Sequence, residues 1–345
     1  MTDQGPLGGR YSRQVLFAPF GAAGQERVRR ARVLLLGCGG LGTVSANLLA
    51  RAGVGFLRIV DRDVVELSNL QRQTLFDEYD VEEEMPKAAA AARRIARINR
   101  DVVVEPVVAD VHSGNIRKLV ADVDLIVDGF DNFEGRYLVN DAAVERGVPW
   151  VYGACIGAGG VAAIFVPGRT PCLRCLQPDA PPPGTAATCD TAGILGPAAH
   201  AAASLQCGLA LRWLAKGEVP DPWSVVSVDV WEQRLAELQL PPPPAGQCVC
   251  CGRRRFDYLA APPHVATSLC GRDAVQVLAQ GGRAPDLAAI AERLRPLGEV
   301  VANQFLVRFR TPPFELTLFD DGRAIVKGTG DEAQARGLVA RYFGV

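Results

Sequence analysis

A run of β-branched and aliphatic residues, Arg32–Leu36 (RVLLL), leads directly into Gly37-Cys38-Gly39-Gly40-Leu41-Gly42 and then into an apolar stretch of helix length. Glycines let the backbone turn tightly and come close to a phosphate without Cβ clashes. The helix after the turn offers free N–H groups and partial positive charge at its N-terminus. Asp61 closes a second expected strand, Phe56–Asp61, 19 residues after Gly42. A carboxylate there can accept from ribose hydroxyls. Gly37, Gly39, Gly40, Gly42 and Asp61 therefore predict an adenine-nucleotide site. They leave the nucleotide open, and a dinucleotide is the commoner use of such a turn.

The same alternation continues. Strands are expected at 102–108, 123–128, 148–152, 161–166 and 224–230, with helices at 42–52, 87–99, 136–146 and 194–215. Strand and helix at this spacing make βαβ units and a mostly parallel sheet. After about residue 160 helices thin out, which predicts a Rossmann-like parallel sheet continuing into mixed or antiparallel strands. Gln177–Cys189, rich in Pro, Gly and small residues, reads as an exposed loop, and Leu240–Gln247 as a stiff spacer. The expected organisation is a nucleotide-binding domain over 1–252, a linker at 253–263 and a small α+β appendage at 264–345.

Formal net charge is −1 over 345 residues, with no long run of one sign, which argues against a dedicated nucleic-acid or membrane-surface protein. The N-terminal residues lack a signal-peptide pattern, and no apolar stretch reaches the roughly 20 residues that span a bilayer. A soluble, cytoplasmic protein is expected, and ten cysteines there point to metal or catalysis before disulfides.

The residues after Asp61 favour a triphosphate over a dinucleotide. Asp63 and then Ser68-Asn69-Leu70-Gln71-Arg72-Gln73 form a polar, cationic loop with no evident use in a dehydrogenase. Arg72 can pair with phosphate oxygens and Asn69 can donate to them. Lys87 comes after Pro86 at a helix start, where the macrodipole disfavours a cation unless an anion binds. Asp131-Asn132 succeed the strand VDLIVDGF, at a strand's carboxyl end where open α/β sheets bind ligands. Asp131 can hold Mg²⁺ against the triphosphate, and with Glu134 it also fits a capping-box-like helix start.

The series Tyr11-Ser12-Arg13-Gln14, G-C-G-G-L-G, I-V-D-R-D, L-S-N-L-Q-R-Q, P-K and D-G-F-D-N resembles, in order, the motifs of the MoeB/ThiF/HesA family and of ubiquitin-activating enzymes. The resemblance covers about residues 10–252. It implies ATP-dependent adenylation of the C-terminal glycine of a ubiquitin-fold carrier protein ending in Gly-Gly. It places Gly40, Asp61, Ser68, Asn69, Leu70, Gln71, Arg72, Lys87, Asp131 and Asn132 around the nucleotide. It also implies a homodimer in which Arg13 reaches into the partner subunit's site, with a sulfurtransferase or cysteine desulfurase as sulfur source. The acidic stretch DEYDVEEEM between Gln73 and Lys87 departs from the family's pattern.

Two C-x-x-C knuckles, Cys172/Cys175 and Cys248/Cys251, supply four thiolates for a closed, structural Zn²⁺ site, with Cys250 left over. Cys189 stands before Thr191-Ala192-Gly193-Ile194-Leu195-Gly196-Pro197, the position that carries a thioester or acyl-disulfide in some family members. Cys38, Cys155, Cys207 and Cys270 read as packing residues. The appendage lacks a rhodanese persulfide loop. The alternative readings are an NAD-dependent oxidoreductase, which leaves Arg72, Lys87 and Asp131 unexplained, and a non-catalytic nucleotide-binding zinc scaffold.

Overall fold

The structure is a computed structural model that describes residues 9–182, 185, 189–239, 246–262, 266–269, 273–278 and 284–344. The chain divides into two compact units, 1–261 and 262–345.

The first unit is built on an eight-stranded sheet: β1 Arg32–Leu36, β2 Phe56–Asp61, β3 Val103–Val108, β4 Leu125–Asp128, β5 Trp150–Ile156, β6 Gly159–Phe165, β7 Ser224–Asp229 and β8 Arg234–Gln239. Their order is β3-β2-β1-β4-β5-β6-β7-β8. Pairing is parallel from β3 to β5 and antiparallel beyond. Strand side chains alternate between faces, and both faces of the parallel half are covered, so β1 reads as an unbroken apolar run. Val33 and Leu35 join one core with Leu57, Ile59 and Ala46. Leu34 and Leu36 join the other with Val60, Ile126 and Trp150.

The helix Gly40–Ala52 begins inside the glycine turn, two residues before the start expected from sequence, and ends at Gly53 with φ +85°. The helix expected at 136–146 begins earlier, at Phe133, because Asn132 caps it: Gly135 N–H donates to Asn132 Oδ1 at 2.8 Å. Asp131 is therefore not the cap residue that the sequence suggested. The linker expected at 253–263 holds a short helix, Asp257–Ala260, whose Leu259 is buried in the second core. The boundary between units falls after Ala261, inside that stretch. Parts of the expected loop 177–189 and spacer 240–247 lie outside the described residues.

The second unit is an antiparallel sheet of β9 Ala266–Leu269, β10 Ala274–Val277, β11 Glu299–Ala302, β12 Leu306–Thr311, β13 Phe314–Phe319 and β14 Ala324–Lys327, ordered β11-β12-β13-β14-β10-β9. Helices Leu287–Leu294 and Glu332–Tyr342 pack with it around Val275, Val307, Phe309, Leu316, Ile290 and Val339. β9, β10 and β11 have no counterpart among the strands expected from sequence. Among the described residues no helix is long and apolar enough to cross a membrane.

Candidate active site

In the parallel half, strand order reverses between β1 and β4, so the loops leaving their carboxyl ends diverge and open a crevice. Its floor is a contact between two glycines. Gly37 sits at φ +88°, and a Cβ on it would lie 2.5 Å from Gly129 O. A Cβ on Gly42 would lie 2.0 Å from Gly37 O. These glycines serve the fold. Gly39 differs, because a Cβ there would meet nothing nearer than Gln73 Nε2 at 3.8 Å. The space above Gly39 is open, as a phosphate approaching the helix N-terminus requires. A Cβ on Gly40 would lie 3.4 Å from Ala199 Cβ and 3.6 Å from Arg72 Cδ.

Asp61 ties the turn to the end of β2. It accepts from Cys38 N–H at 2.6 Å through one oxygen and from Asp63 N–H at 2.7 Å through the other. Each oxygen keeps a second lone pair for a ligand. Burial pushes the Asp61 carboxyl above its usual range, against the opposing pull of Lys87. Burial likewise pushes the Cys38 thiol well up, which keeps it protonated and inert, as a packing residue should be.

Lys87 opens the helix Lys87–Ile98, is 4% exposed, and pairs with Asp63 Oδ2 at 3.0 Å. Its N–H donates to Asp63 O at 2.9 Å, so the residue is seated by both the backbone and the carboxylate of Asp63. The acidic stretch before it forms the helix Glu78–Glu82, capped by Asp77. Asp80 and Glu83 take Arg93 at 2.6 and 2.5 Å, and Asp77 takes Arg94. The acidic departure from the family's pattern thus finds its counterions on the helix that Lys87 begins.

The loop between is folded by its own polar groups. Asn69 is buried, and its Oδ1 accepts from Glu66 N–H at 3.0 Å. That oxygen shapes the loop, a role that the sequence did not suggest. Arg72 donates to Ser68 O at 3.0 Å. Leu70 packs on the first core, while Ser68 and Gln71 are exposed. Gln73 is 2% exposed and its Oε1 has no hydrogen-bond partner among the described residues. A buried amide oxygen left so costs ~1–3 kcal/mol, and a ligand donor beside Gly39 would relieve it.

Across the crevice, Asp131 is exposed and accepts from Asn132 Nδ2 at 3.2 Å. Two residues that sequence reasoning missed hold this loop. Asp128, 0% exposed at the end of β4, takes Arg136 Nε at 3.2 Å and Phe130 N–H at 2.8 Å. Arg136 also donates to Phe130 O at 2.7 Å and to Gly153 O at 3.1 Å. Burial raises the Asp128 carboxyl against the pull of Arg136. The only signal in sequence was two opposite charges eight residues apart around a strand end. Arg62, read in sequence only as part of the I-V-D-R-D motif, pairs with Asp110 Oδ1 at 3.1 Å, and the negative charges of Asp110, Asp63 and Asp131 raise its pKa against the cost of burial.

Arg13 lies in the short helix Ser12–Leu16 and is exposed. Cys189 opens the short helix Cys189–Ala192, but its side chain lies outside what the structure describes. That segment is tied down behind Cys189: Gly157 N–H donates to Gly193 O and Leu195 N–H to Gly157 O, both at 2.9 Å.

The two knuckles meet. The sulfurs of Cys172, Cys175, Cys248 and Cys251 lie within 4.8 Å of one another, with separations of 3.6 Å (172–248), 3.3 Å (175–251) and 3.7 Å (172–175). A tetrahedron with Zn–S bonds of ~2.3 Å sets its sulfurs ~3.8 Å apart, so the donor set fits that metal. Cys250 is not one of the four: its thiol lies beside Cys172 and accepts from Asn140 Nδ2 at 3.3 Å.

A model of the ThiF family matches residues 11–250. The "Sulfur carrier protein ThiS adenylyltransferase" of Bacillus subtilis is 47% identical over 338 residues, covering 97% of this chain and 99% of that one. The "Sulfur carrier protein adenylyltransferase" of Thermus thermophilus is 40% identical over 261 residues, covering 73% and 95%. Among solved structures, Escherichia coli MccB with ATP superimposes with a TM-score of 0.62 at 24% identity, covering 71% of this chain and 75% of that one. That last likeness is one of fold.

Proposed function

The chain belongs to the ThiF family, and from that premise we propose that it is an adenylyltransferase that uses ATP to activate the C-terminal carboxylate of a ubiquitin-fold sulfur carrier of the ThiS type. The observation that carries this reading is the match to the Bacillus relative over nearly the whole of both chains, second unit included. The crevice supplies the chemistry. A carboxylate oxygen of the carrier's terminal glycine attacks the α-phosphorus, the bond from that phosphorus to the bridging oxygen breaks, and pyrophosphate leaves with the electron pair. Two anions must meet, so orientation and preorganised positive charge do most of the work.

Gly37 and Gly42 shape the turn through which Gly39 and Gly40 bring the backbone to the phosphates, and Asp61 accepts from the ribose. Lys87 and Arg72 offset charge on the leaving group, and Asp63 keeps Lys87 seated. Ser68, Asn69, Leu70, Gln71 and Gln73 wall the nucleotide. Asp131, with Asn132 beside it, would hold Mg²⁺, which screens the phosphates when bound. Arg13 reaches the pocket of a second copy in a homodimer. Cys172, Cys175, Cys248 and Cys251 would hold Zn²⁺, which then supplies a closed cross-link with no open position. The Cys189 thiolate then attacks the acyl carbon, the bond from that carbon to the AMP oxygen breaks, AMP leaves and a thioester forms, with sulfur supplied by a sulfurtransferase or cysteine desulfurase.

The test is exchange of labelled pyrophosphate into ATP with a Gly-Gly-terminated carrier. Asp131→Ala is expected to abolish carrier-dependent exchange with an unchanged Tm, since Asp131 is exposed; full exchange in that variant removes Asp131 from the mechanism. Cys189→Ala should keep exchange and block transfer of acyl or sulfur. Transfer at the normal rate would end the nucleophile reading.

A further inference from the structure

Arg13 is exposed and has no hydrogen bond or ion pair to any described residue, yet the backbone on both sides of it is fixed from the interior. On one side, Asn99, 0% exposed, donates its amide to Tyr11 Oη at 2.8 Å and to Ala50 O at 2.8 Å. The Tyr11 ring fills the space beside Gly53, where a Cβ would lie 2.5 Å from it. On the other side, Gln14 Nε2 donates to Ala52 O at 3.0 Å and to Gln25 Oε1 at 2.7 Å. Gln25 Nε2 reaches the same Ala52 O at 3.0 Å.

All these bonds converge on the last carbonyls of one helix, Gly40–Ala52, whose first turn is the glycine turn. Terminal carbonyls of a helix need partners from outside it. Here the partners are side chains that also hold the segment carrying Arg13. A single rigid helix therefore presents the phosphate site at one end and fixes the root of Arg13 at the other. An arginine whose Cα is already placed loses less freedom when its guanidinium settles on an anion.

We infer that Tyr11, Gln14 and Asn99 are positioning residues that set the reach of Arg13 into the partner subunit's pocket. The inference rests on the reading that Arg13 acts in trans. It predicts an asymmetry between subunits that a role in stability alone does not produce.

The experiment mixes two inactive full-length chains, Arg13→Ala and Asp131→Ala, and measures carrier-dependent pyrophosphate exchange. One pocket of the mixed dimer is then complete, built from the Arg13→Ala chain and the arginine of the other. Adding Tyr11→Phe, which removes one hydroxyl, to the chain that donates Arg13 should slow the restored exchange on the order of tenfold, with ATP affinity unchanged. Adding it instead to the chain that supplies the pocket should leave the rate as it was. Gln14→Met, which removes only the amide, should repeat the asymmetry. Equal slowing from either chain, or none from either, overturns the positioning role. No restored exchange in the unmodified mixture overturns the trans reading itself, and the positioning role with it.

Discussion

Gly37 and Gly39 stand two residues apart in one turn and face opposite demands. Gly37 combines a positive φ with a backbone neighbour at 2.5 Å, so an alanine has neither the conformation nor the room. Gly37→Ala is expected to destabilise the protein by more than ~2 kcal/mol, read as a lowered Tm without ligand. Gly39 has room for a methyl group among its protein neighbours. Gly39→Ala should therefore change stability by less than about 0.5 kcal/mol. Its cost should appear in ATP affinity, roughly tenfold or about 1.4 kcal/mol, measured by calorimetry. If ATP binds Gly39→Ala normally, the phosphate does not lie over Gly39.

At the scale of elements, the buried pair Asp128–Arg136 joins β4, the helix Phe133–Arg146 and β5 through Gly153. Gln206, from the helix Gly196–Lys216, adds donors to Asp128 O at 2.6 Å and Val151 O at 3.0 Å. These bonds fix where β4 ends and so where Asp131 begins its exposed loop. Removing one member leaves a charge buried without its counterion. Arg136→Met should cost about 3–5 kcal/mol, seen as a fall in the denaturant midpoint. The change should also displace Asp131, so exchange should fall in the fraction that remains folded. A midpoint within error of the parent's would show that solvent reaches Asp128 and that the pair does not hold the loop.

At the scale of the whole molecule, the four clustered sulfurs join segments far apart in sequence, one after β6 and one after β8. Closing a loop of that length constrains the unfolded chain as well as the folded one. Purified protein is expected to carry one zinc per chain, and chelation should lower its Tm. Cys250→Ser should leave the zinc content unchanged, because Cys250 lies outside the tetrahedron. Metal-free protein of undiminished Tm would reject the site.

The sequence by itself determined the parallel half of the sheet, the nucleotide crevice and the two cysteine knuckles. Each rests on local rules: a strand run, a turn that only glycine can make, a C-x-x-C spacing. Only the tertiary structure decided which groups share a bond across the crevice. Asn132 rather than Asp131 caps the helix because the backbone geometry at β4 puts the cap one residue on. Asp61 accepts from two backbone N–H groups because β2 lies beside the turn. Asp128, Arg136 and Asn99 took no role in the sequence reading, since burial gives them their meaning and burial is a property of the packed chain. The pairing of β10 with β14 and the placement of Tyr11 against Gly53 belong to the same class, fixed by partners distant along the chain.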